Sequence, residues 1–212
     1  MSSIIQVKSV NYPESDGRPM GETDEHRKEM IRQMELLERH FAGQRVYVSG
    51  DLLVYYEQGN PKKFVVPDVF VVRDLEPRNR RTYKLWVEGK PPDVILEVTS
   101  RKTKKKDTLA KPALYGQLRV PEYFLFDPTQ DYLDPPLQGH RLAGSQYEPI
   151  APDAEGALVS ASLGLRLRAA GGQLMFHRLD TGDRLLTAEE ARRAAEAEVA
   201  RLREELRRRG TT

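Results

Sequence analysis

The sequence predicts an α/β fold in which a mixed sheet is flanked by helices. Three observations support this prediction: an amphipathic helix pattern near the start, a series of apolar strand-like runs after it, and a second helix pattern between two of those runs. With 212 residues, the chain has the size of one ordinary domain, or of one domain with an extension. Hydrophobic residues make up 39% of it, which is enough for a core and argues against wholesale disorder.

The composition excludes several classes of protein. The 34 Lys and Arg nearly balance the 32 Asp and Glu, so a surface for nucleic acid requires local clustering of charge. The chain contains no Cys, which excludes disulfides, a thiolate nucleophile and Cys-ligated zinc. No apolar run approaches the roughly 18–20 residues of a membrane span, and no secretory signal is visible at the start. We therefore expect a cytoplasmic protein with no membrane partner.

The first helix is predicted over residues 23–41. Thr23 is suited to the N-cap position and Gly43 to the stop after the helix. One apolar stripe recurs at helical spacing: Met30, Met34, Leu37 and Phe41.

Strands are predicted where apolar runs rich in β-branched or aromatic residues occur. The runs are 46–48, 52–56, 64–72, 93–98 and 122–126, with a turn at 49–51. A second helix is predicted over roughly 109–118, with Asp107 or Thr108 as its N-cap, because Pro112 fits only the first turn of a helix. Turn residues indicate shorter strands between 137 and 175.

The organisation predicted along the chain has three parts. Residues 1–21 form an irregular N-terminal segment, 22–186 the α/β domain, and 187–212 a charged helix. The helix carries one thin apolar stripe, Ala195, Val199, Leu202 and Leu206, among charges that nearly cancel. Two interpretations stay open: a solvated terminal helix, or a short coiled coil with another chain.

Two carboxylates lie inside strand-like apolar runs. Asp68 interrupts the run VVPDVFVV, and Glu97 lies within DVILEV. An ionised carboxylate in such a strand is costly unless it is paired, hydrogen-bonded or bound to a cation. If the two strands are neighbours, the two side chains can converge as a site for Mg²⁺ or Mn²⁺. The alternative is that Asp68, following Pro67, is a turn residue; Asp93 and Asp127 are interpreted as turn or cap residues.

Basic residues directly follow the second carboxylate. Five of them fall within six positions, Arg101, Lys102, Lys104, Lys105 and Lys106, and are predicted to bind the nucleic-acid backbone. The alternative is a solvated loop. A second cluster, Arg78, Arg80, Arg81 and Lys84, could line the same groove.

Lys111 lies in the first turn of the second helix, where the helix dipole disfavours a positive charge. A lysine placed against this local rule is a candidate for pairing with a carboxylate or a phosphate. The alternative is an exposed lysine without a role in a site.

These segments together resemble a known family. PDVFVV (67–72), PPDVILEVTS (91–100), the spaced Asp107, Lys111 and Tyr115, and RVPEYFLFDP (119–128) are similar to the Uma-type family, whose members are described as restriction endonucleases. That family belongs to the PD-(D/E)XK nuclease superfamily. The resemblance continues through GALVSASLGLRLR and the segment that follows, and covers residues 22–205.

The resemblance implies a restriction-endonuclease-like core and a set of site residues. Asp68 and Glu97 would be the metal-binding catalytic acids, with Mg²⁺ as cofactor and Mn²⁺ as an alternative. The superfamily lysine usually lies two residues after the second acid, where this chain has Thr99. Lys111 matches the position from which a helix lysine substitutes in this family. Three accessory positions are implied as well: Asp107, Tyr115 and His26.

Three functions follow as hypotheses. The first is a metal-dependent DNA endonuclease in which metal-activated water hydrolyses phosphodiester bonds. The second is a catalytically degenerate nucleic-acid-binding or regulatory protein on the same fold, suggested by Thr99. The third is a scaffold that works through the 187–209 helix. A homodimer or higher homo-oligomer is expected, since a two-fold axis would present two sites to two DNA strands.

Overall fold

A six-stranded mixed sheet forms the centre of the computed structural model, which describes residues 10–15, 23–99 and 110–209. Its strands are β1 (Val46–Ser49), β4 (Val69–Arg73), β6 (Val94–Val98), β7 (Glu122–Phe126), β8 (Leu137–Ala143) and β9 (Gln146–Pro149), in that spatial order. β6 and β7 run parallel, whereas the other neighbours are antiparallel. The predicted α/β class with a mixed sheet is confirmed.

Two small sheets and four helices complete the described part of the chain. One small sheet is made of β10 (Leu158–Ser160), β11 (Leu165–Ala170) and β12 (Gln173–Arg178). The other is made of β3 (Phe64–Val65), β2 (Val54–Tyr55) and β5 (Tyr83–Lys84). The helices are α1 (Asp24–His40), α2 (Leu85–Glu88), α3 (Lys111–Gln117) and α4 (Ala188–Arg209).

The two faces of the central sheet bury separate apolar clusters, because side chains alternate along each strand. On one face, Leu36 and Leu37 of α1 pack with Val69 and Leu96. On the other face, Tyr115 of α3 packs with residues that include Phe70, Ile95 and Tyr123. The central strands are therefore covered on both sides, as their unbroken apolar runs predict.

The first helix agrees closely with its predicted pattern. Thr23 is the N-cap, and its hydroxyl accepts a hydrogen bond from the backbone N–H of His26 at 3.2 Å. Met30, Leu37 and Phe41 are buried, as the stripe requires. Gly43 follows the helix with φ +79°, a conformation that suits glycine.

Several elements differ from prediction. The run 64–72 is two strands, because the bend at Asp68 sends β3 and β4 to different sheets. The strands on either side of the 49–51 segment likewise join different sheets. The second helix extends from Lys111 to Gln117, with Ala110 at its N-cap position. The predicted caps Asp107 and Thr108 lie outside the described residues. β5 and α2 carry no clear periodicity and were not predicted.

The C-terminal helix is confirmed, and its first turn is anchored to the domain. Thr187 and Glu190 form a capping box: the Thr187 hydroxyl accepts from the Glu190 N–H at 3.2 Å, and Glu190 accepts from the Thr187 N–H at 2.9 Å. The backbone N–H of Ala188 donates to Glu35 of α1 at 2.6 Å. Beyond this start no side chain of α4 is buried.

Part of the predicted N-terminal segment contacts the folded domain. Within residues 10–15, Tyr12 packs edge-on against Tyr55 at 5.0 Å between ring centroids, so this part of the N-terminal segment lies on the small sheet. The boundaries at 21 and 186, and the cytoplasmic location, stay predictions. Over the described ranges, no helix has the length and apolarity that a membrane crossing requires.

Candidate active site

The pairing of β4 with β6 brings Asp68 and Glu97 together. The antiparallel register places Val69 opposite Leu96, and Asp68 directly precedes Val69 while Glu97 directly follows Leu96. The backbone N–H of Asp68 donates to Glu97 Oε2 at 3.3 Å, and the backbone N–H of Val98 donates to Asp68 Oδ2 at 2.8 Å. Asp68 is a bend residue, as one interpretation predicts, and it also lies beside Glu97. Its role in binding a metal ion stays a prediction.

Glu97 is fully buried, and both of its carboxylate oxygens are engaged. The Tyr115 hydroxyl donates to Oε1 at 2.8 Å. The Lys111 ammonium lies 2.7 Å from Oε2. A charge removed from water in this way is tolerated only because a cation and hydrogen-bond donors surround it.

One short helix supplies two of the partners of Glu97. Lys111 and Tyr115 are four residues apart in α3, which places them on the same helix face, as the sequence predicts. Lys111 keeps 19% of its side chain exposed, while Tyr115 is fully buried. The ammonium therefore lies where the buried carboxylate meets the surface.

Tyr115 stays protonated throughout the usual pH range. Burial, together with the neighbouring Glu97 carboxylate, raises the pKa of the Tyr115 hydroxyl well above its usual range. The hydroxyl is therefore a permanent donor to Glu97 Oε1. It fixes one carboxylate oxygen and leaves Oε2 facing Lys111.

His26 approaches Asp68 from the first helix. It lies in the first turn of α1, and its Nε2 is 3.4 Å from Asp68 Oδ2. The side chains are 7% and 14% exposed, respectively. The resemblance implies that His26 lies near the site, and this position is confirmed. The role of His26 stays a prediction.

Gly50 makes room for the backbone of Asp68. A Cβ atom at position 50 would lie 2.1 Å from the Asp68 carbonyl oxygen and 2.8 Å from Met34 Sδ. The first contact is with backbone, which cannot move aside as the end of a flexible side chain can. The bend that carries Asp68 therefore depends on glycine at this position.

We expect Gly50→Ala to destabilise the protein by about 1–3 kcal/mol, the usual cost of forcing extra atoms into a packed site. Gly116→Ala is the matched control, since a Cβ there meets its nearest atoms at an ordinary 3.7 Å and alanine favours the helix. Urea denaturation measures both. Equal midpoints for Gly50→Ala and wild type would contradict the close approach.

Thr99, where the family resemblance would place a lysine, makes structural contacts. It is 2% exposed, and its backbone N–H donates to the Phe126 carbonyl at 2.8 Å. The Tyr132 hydroxyl hydrogen-bonds to the Thr99 hydroxyl. A cation is supplied near Glu97 by Lys111 instead, as the family pattern implies.

The donor set is compatible with Mg²⁺ or Mn²⁺. These ions prefer oxygen ligands, and Mg²⁺ is commonly held by one or two carboxylates together with water and substrate phosphate. Asp68, just before β4, and Glu97, in the adjacent strand β6, supply two such carboxylates. Within the three described ranges, no group of three or more His, Asp or Glu side chains has the arrangement of a complete metal site.

The described part of the chain does not show every predicted residue at this site. The five basic residues between Arg101 and Lys106, and Asp107, lie outside the described residues. In the second basic cluster, Arg80 is 2% exposed, pairs with Glu88 at 2.9 Å and lies over the Tyr47 ring at 4.2 Å. Arg78 also contacts Glu88, and Arg81 contacts Glu14. The contacts of Arg80 give it a structural role, and the expectation that the cluster lines a groove stays a prediction.

Two buried carboxylates were missed by the sequence reasoning. Glu122 is 1% exposed and accepts hydrogen bonds from Arg141 and from the N–H groups of Ala161 and Ser162. Glu29 is 5% exposed, and burial raises the pKa of its carboxyl. Glu122 carried a usable signal, since it opens the apolar run EYFLF. Asp127, in contrast, is the predicted cap, accepting four backbone N–H bonds from its own loop.

Comparison with known proteins identifies the family of this chain and a solved structure to which it is similar. The Uma2 family model, described as "Putative restriction endonuclease", matches residues 9–170. No curated protein matches the chain. The chain is similar to the crystal structure of "a putative nuclease belonging to DUF820" from Anabaena variabilis ATCC 29413, with 14% identity and a TM-score of 0.49, over 68% of this chain and 76% of that one.

Proposed function

Because this chain belongs to the Uma2 family, we propose that it is a metal-dependent DNA endonuclease that hydrolyses phosphodiester bonds. The resemblance drawn from the sequence motifs is confirmed at the level of the family. The matched range, 9–170, begins before and ends before the 22–205 that the motifs suggested, so α4 lies outside it.

One observation carries the proposal: a buried carboxylate is held beside a partly exposed lysine and a second carboxylate. Glu97 is engaged by Lys111 at 2.7 Å and by Tyr115 at 2.8 Å. The Asp68 carboxylate, at the bend before β4, is held by a hydrogen bond from the Val98 N–H. Two carboxylates and an ammonium group therefore lie together. Because buried ion pairs contribute little net stability, this arrangement is more typical of a functional site than of a structural one.

In the proposed mechanism, each residue of the site has its own role. Asp68 and Glu97 would hold the metal ion, which when bound polarises the scissile phosphate and lowers the pKa of a water molecule. Tyr115 keeps Glu97 in one orientation by donating to Oε1. Lys111 would orient the attacking water and stabilise the negative charge that develops on phosphorus oxygens. His26 would steady the Asp68 carboxylate.

Cleavage of supercoiled plasmid tests this proposal. We expect the purified wild type to nick or linearise plasmid in Mg²⁺ or Mn²⁺, to stop in excess EDTA and to recover when the metal is restored. Asp68→Asn, prepared in parallel, controls for contaminating nuclease, because it removes a charged ligand with little change of shape.

A specific negative result would overturn the proposal. If the wild type bound DNA in a salt-dependent manner but no divalent metal produced cleavage of double- or single-stranded DNA, the nuclease assignment would be wrong. The catalytically degenerate nucleic-acid-binding protein would then be the better description.

A further inference from the structure

The C-terminal helix exposes an apolar seam with the spacing of a heptad repeat. The seam consists of Ala188, Ala195, Val199, Leu202 and Leu206. Its large members are far from buried: Val199 is 47%, Leu202 45% and Leu206 69% exposed. The first turn of α4 is tied to the domain, through the Thr187 capping box and Glu35. The rest of the seam has no apolar cover from the described parts of the chain.

We propose that α4 pairs with α4 of a second copy as a parallel, two-stranded coiled coil. Counting heptads along α4 puts Arg192, Val199 and Leu206 at the a positions, and Ala188, Ala195, Leu202 and Arg209 at the d positions. A β-branched residue at a next to Leu at d favours two strands in parallel. Arg192 at a costs stability, but a polar residue there is a device that fixes register and oligomeric state.

The flanking charges select the parallel orientation. In that register Glu198 is a g residue and Arg203 is an e residue, and g of one helix faces the following e of its partner. Two symmetric Glu198–Arg203 pairs would therefore form. No carboxylate of the described chain lies within ion-pair distance of Arg203, unlike the Arg201 side chain, which contacts Glu198 at 2.6 Å. In an antiparallel pair g faces g and e faces e, so attraction between Glu196 and Arg203 at e is offset by repulsion between Glu198 and Glu205 at g.

This surface acts independently of cleavage chemistry. α4 lies outside the family match, and its seam is far along the chain from Asp68 and Glu97. A parallel coil would join two domains at the same end of the coil and give one particle two sites. Association can therefore be measured whether or not the protein cuts DNA.

Oxidative cross-linking of the full-length chain tests the proposal, because the protein has no cysteine of its own. We compare Ala195→Cys, at a d position, with Ala194→Cys on the outer face. Both positions are exposed alanines in the same helix turn, so neither change should affect folding. In a parallel pair the two thiols introduced at position 195 meet across the axis at disulfide distance.

We expect Ala195→Cys to form a covalent dimer at least about tenfold faster than Ala194→Cys, given the millimolar effective concentrations of a held pair. Equal rates would overturn the proposal, as would sedimentation of the wild type as a monomer at high micromolar concentration.

The charges provide a second test: Glu198→Arg and Arg203→Glu should each weaken self-association, and an equimolar mixture of the two variants should restore it. An unchanged monomer–dimer equilibrium in both variants would exclude the paired charges.

Discussion

Replacing Glu97 by Gln should reduce metal-dependent plasmid cleavage by about 10³-fold or more while the protein remains folded. A bound metal ion contributes several kcal/mol to stabilising a phosphoryl transition state, and each ~1.4 kcal/mol corresponds to a factor of ten in rate. Gln keeps the shape of the side chain but loses the charge that would hold the metal. It would also place an amide N–H₂ among donors, because Tyr115, Lys111 and the Asp68 N–H all donate to this carboxylate.

Glu122→Gln is the matched control for that experiment. Glu122 is as buried as Glu97 and is likewise surrounded by donors, including Arg141 at 2.9 Å and the Ser162 N–H at 3.1 Å. It pairs in register with Val94, at the opposite end of β6 from Glu97. We expect Glu122→Gln to lower the free energy of unfolding by about 1–3 kcal/mol and to leave cleavage per folded molecule unchanged.

The comparison of these two variants separates stability from chemistry. Initial rates are measured at a temperature where circular dichroism shows both variants folded. Equal loss of cleavage in the two variants would mean that Glu97 acts only through the fold. A Glu97→Gln protein that cleaved at the wild-type rate would remove Glu97 from the metal site altogether.

The sequence predicted best those features that a local pattern determines. The cap and stripe of α1 lie within 20 residues, and the apolar run of β6 shows its burial directly. The pairing of strands within a sheet was predicted less well. The sequence does not show that the strands around 49–51 belong to different sheets, because that choice depends on contacts of β2 with Phe64 and Tyr83 rather than on the turn itself.

The candidate site was predictable as a set of residues but not as a geometry. The anomaly of acids within apolar strands identified Asp68 and Glu97, and the spacing in α3 put Lys111 and Tyr115 on one face. The same pattern holds for Glu122, but its carboxylate accepts hydrogen bonds from the backbone of the loop at 160–162. A buried acid alone therefore does not distinguish a site from a structural clamp. The distinction comes from its neighbours, which only the pairing of strands supplies.

Lys111→Met should lower kcat for DNA cleavage by about 10²-fold with little change in KM. Its ammonium lies 2.7 Å from Glu97 Oε2 and reaches the surface, so it is placed to stabilise charge that develops only in the transition state. Removal of one such electrostatic group typically costs about 10²–10³-fold in kcat. Lys111→Arg keeps the charge in a larger, planar group and should recover part of the rate.

Lys90→Met is the control for this substitution. Lys90 forms an ion pair of similar length, 2.8 Å, with Asp93 just before the other end of β6, and it is 32% exposed. The same change of side chain there should leave kcat unaltered. A lysine that served only to neutralise buried Glu97 would show itself as lost stability with wild-type kcat in Lys111→Met. In that case the cation needed for catalysis would have to be sought elsewhere in the chain.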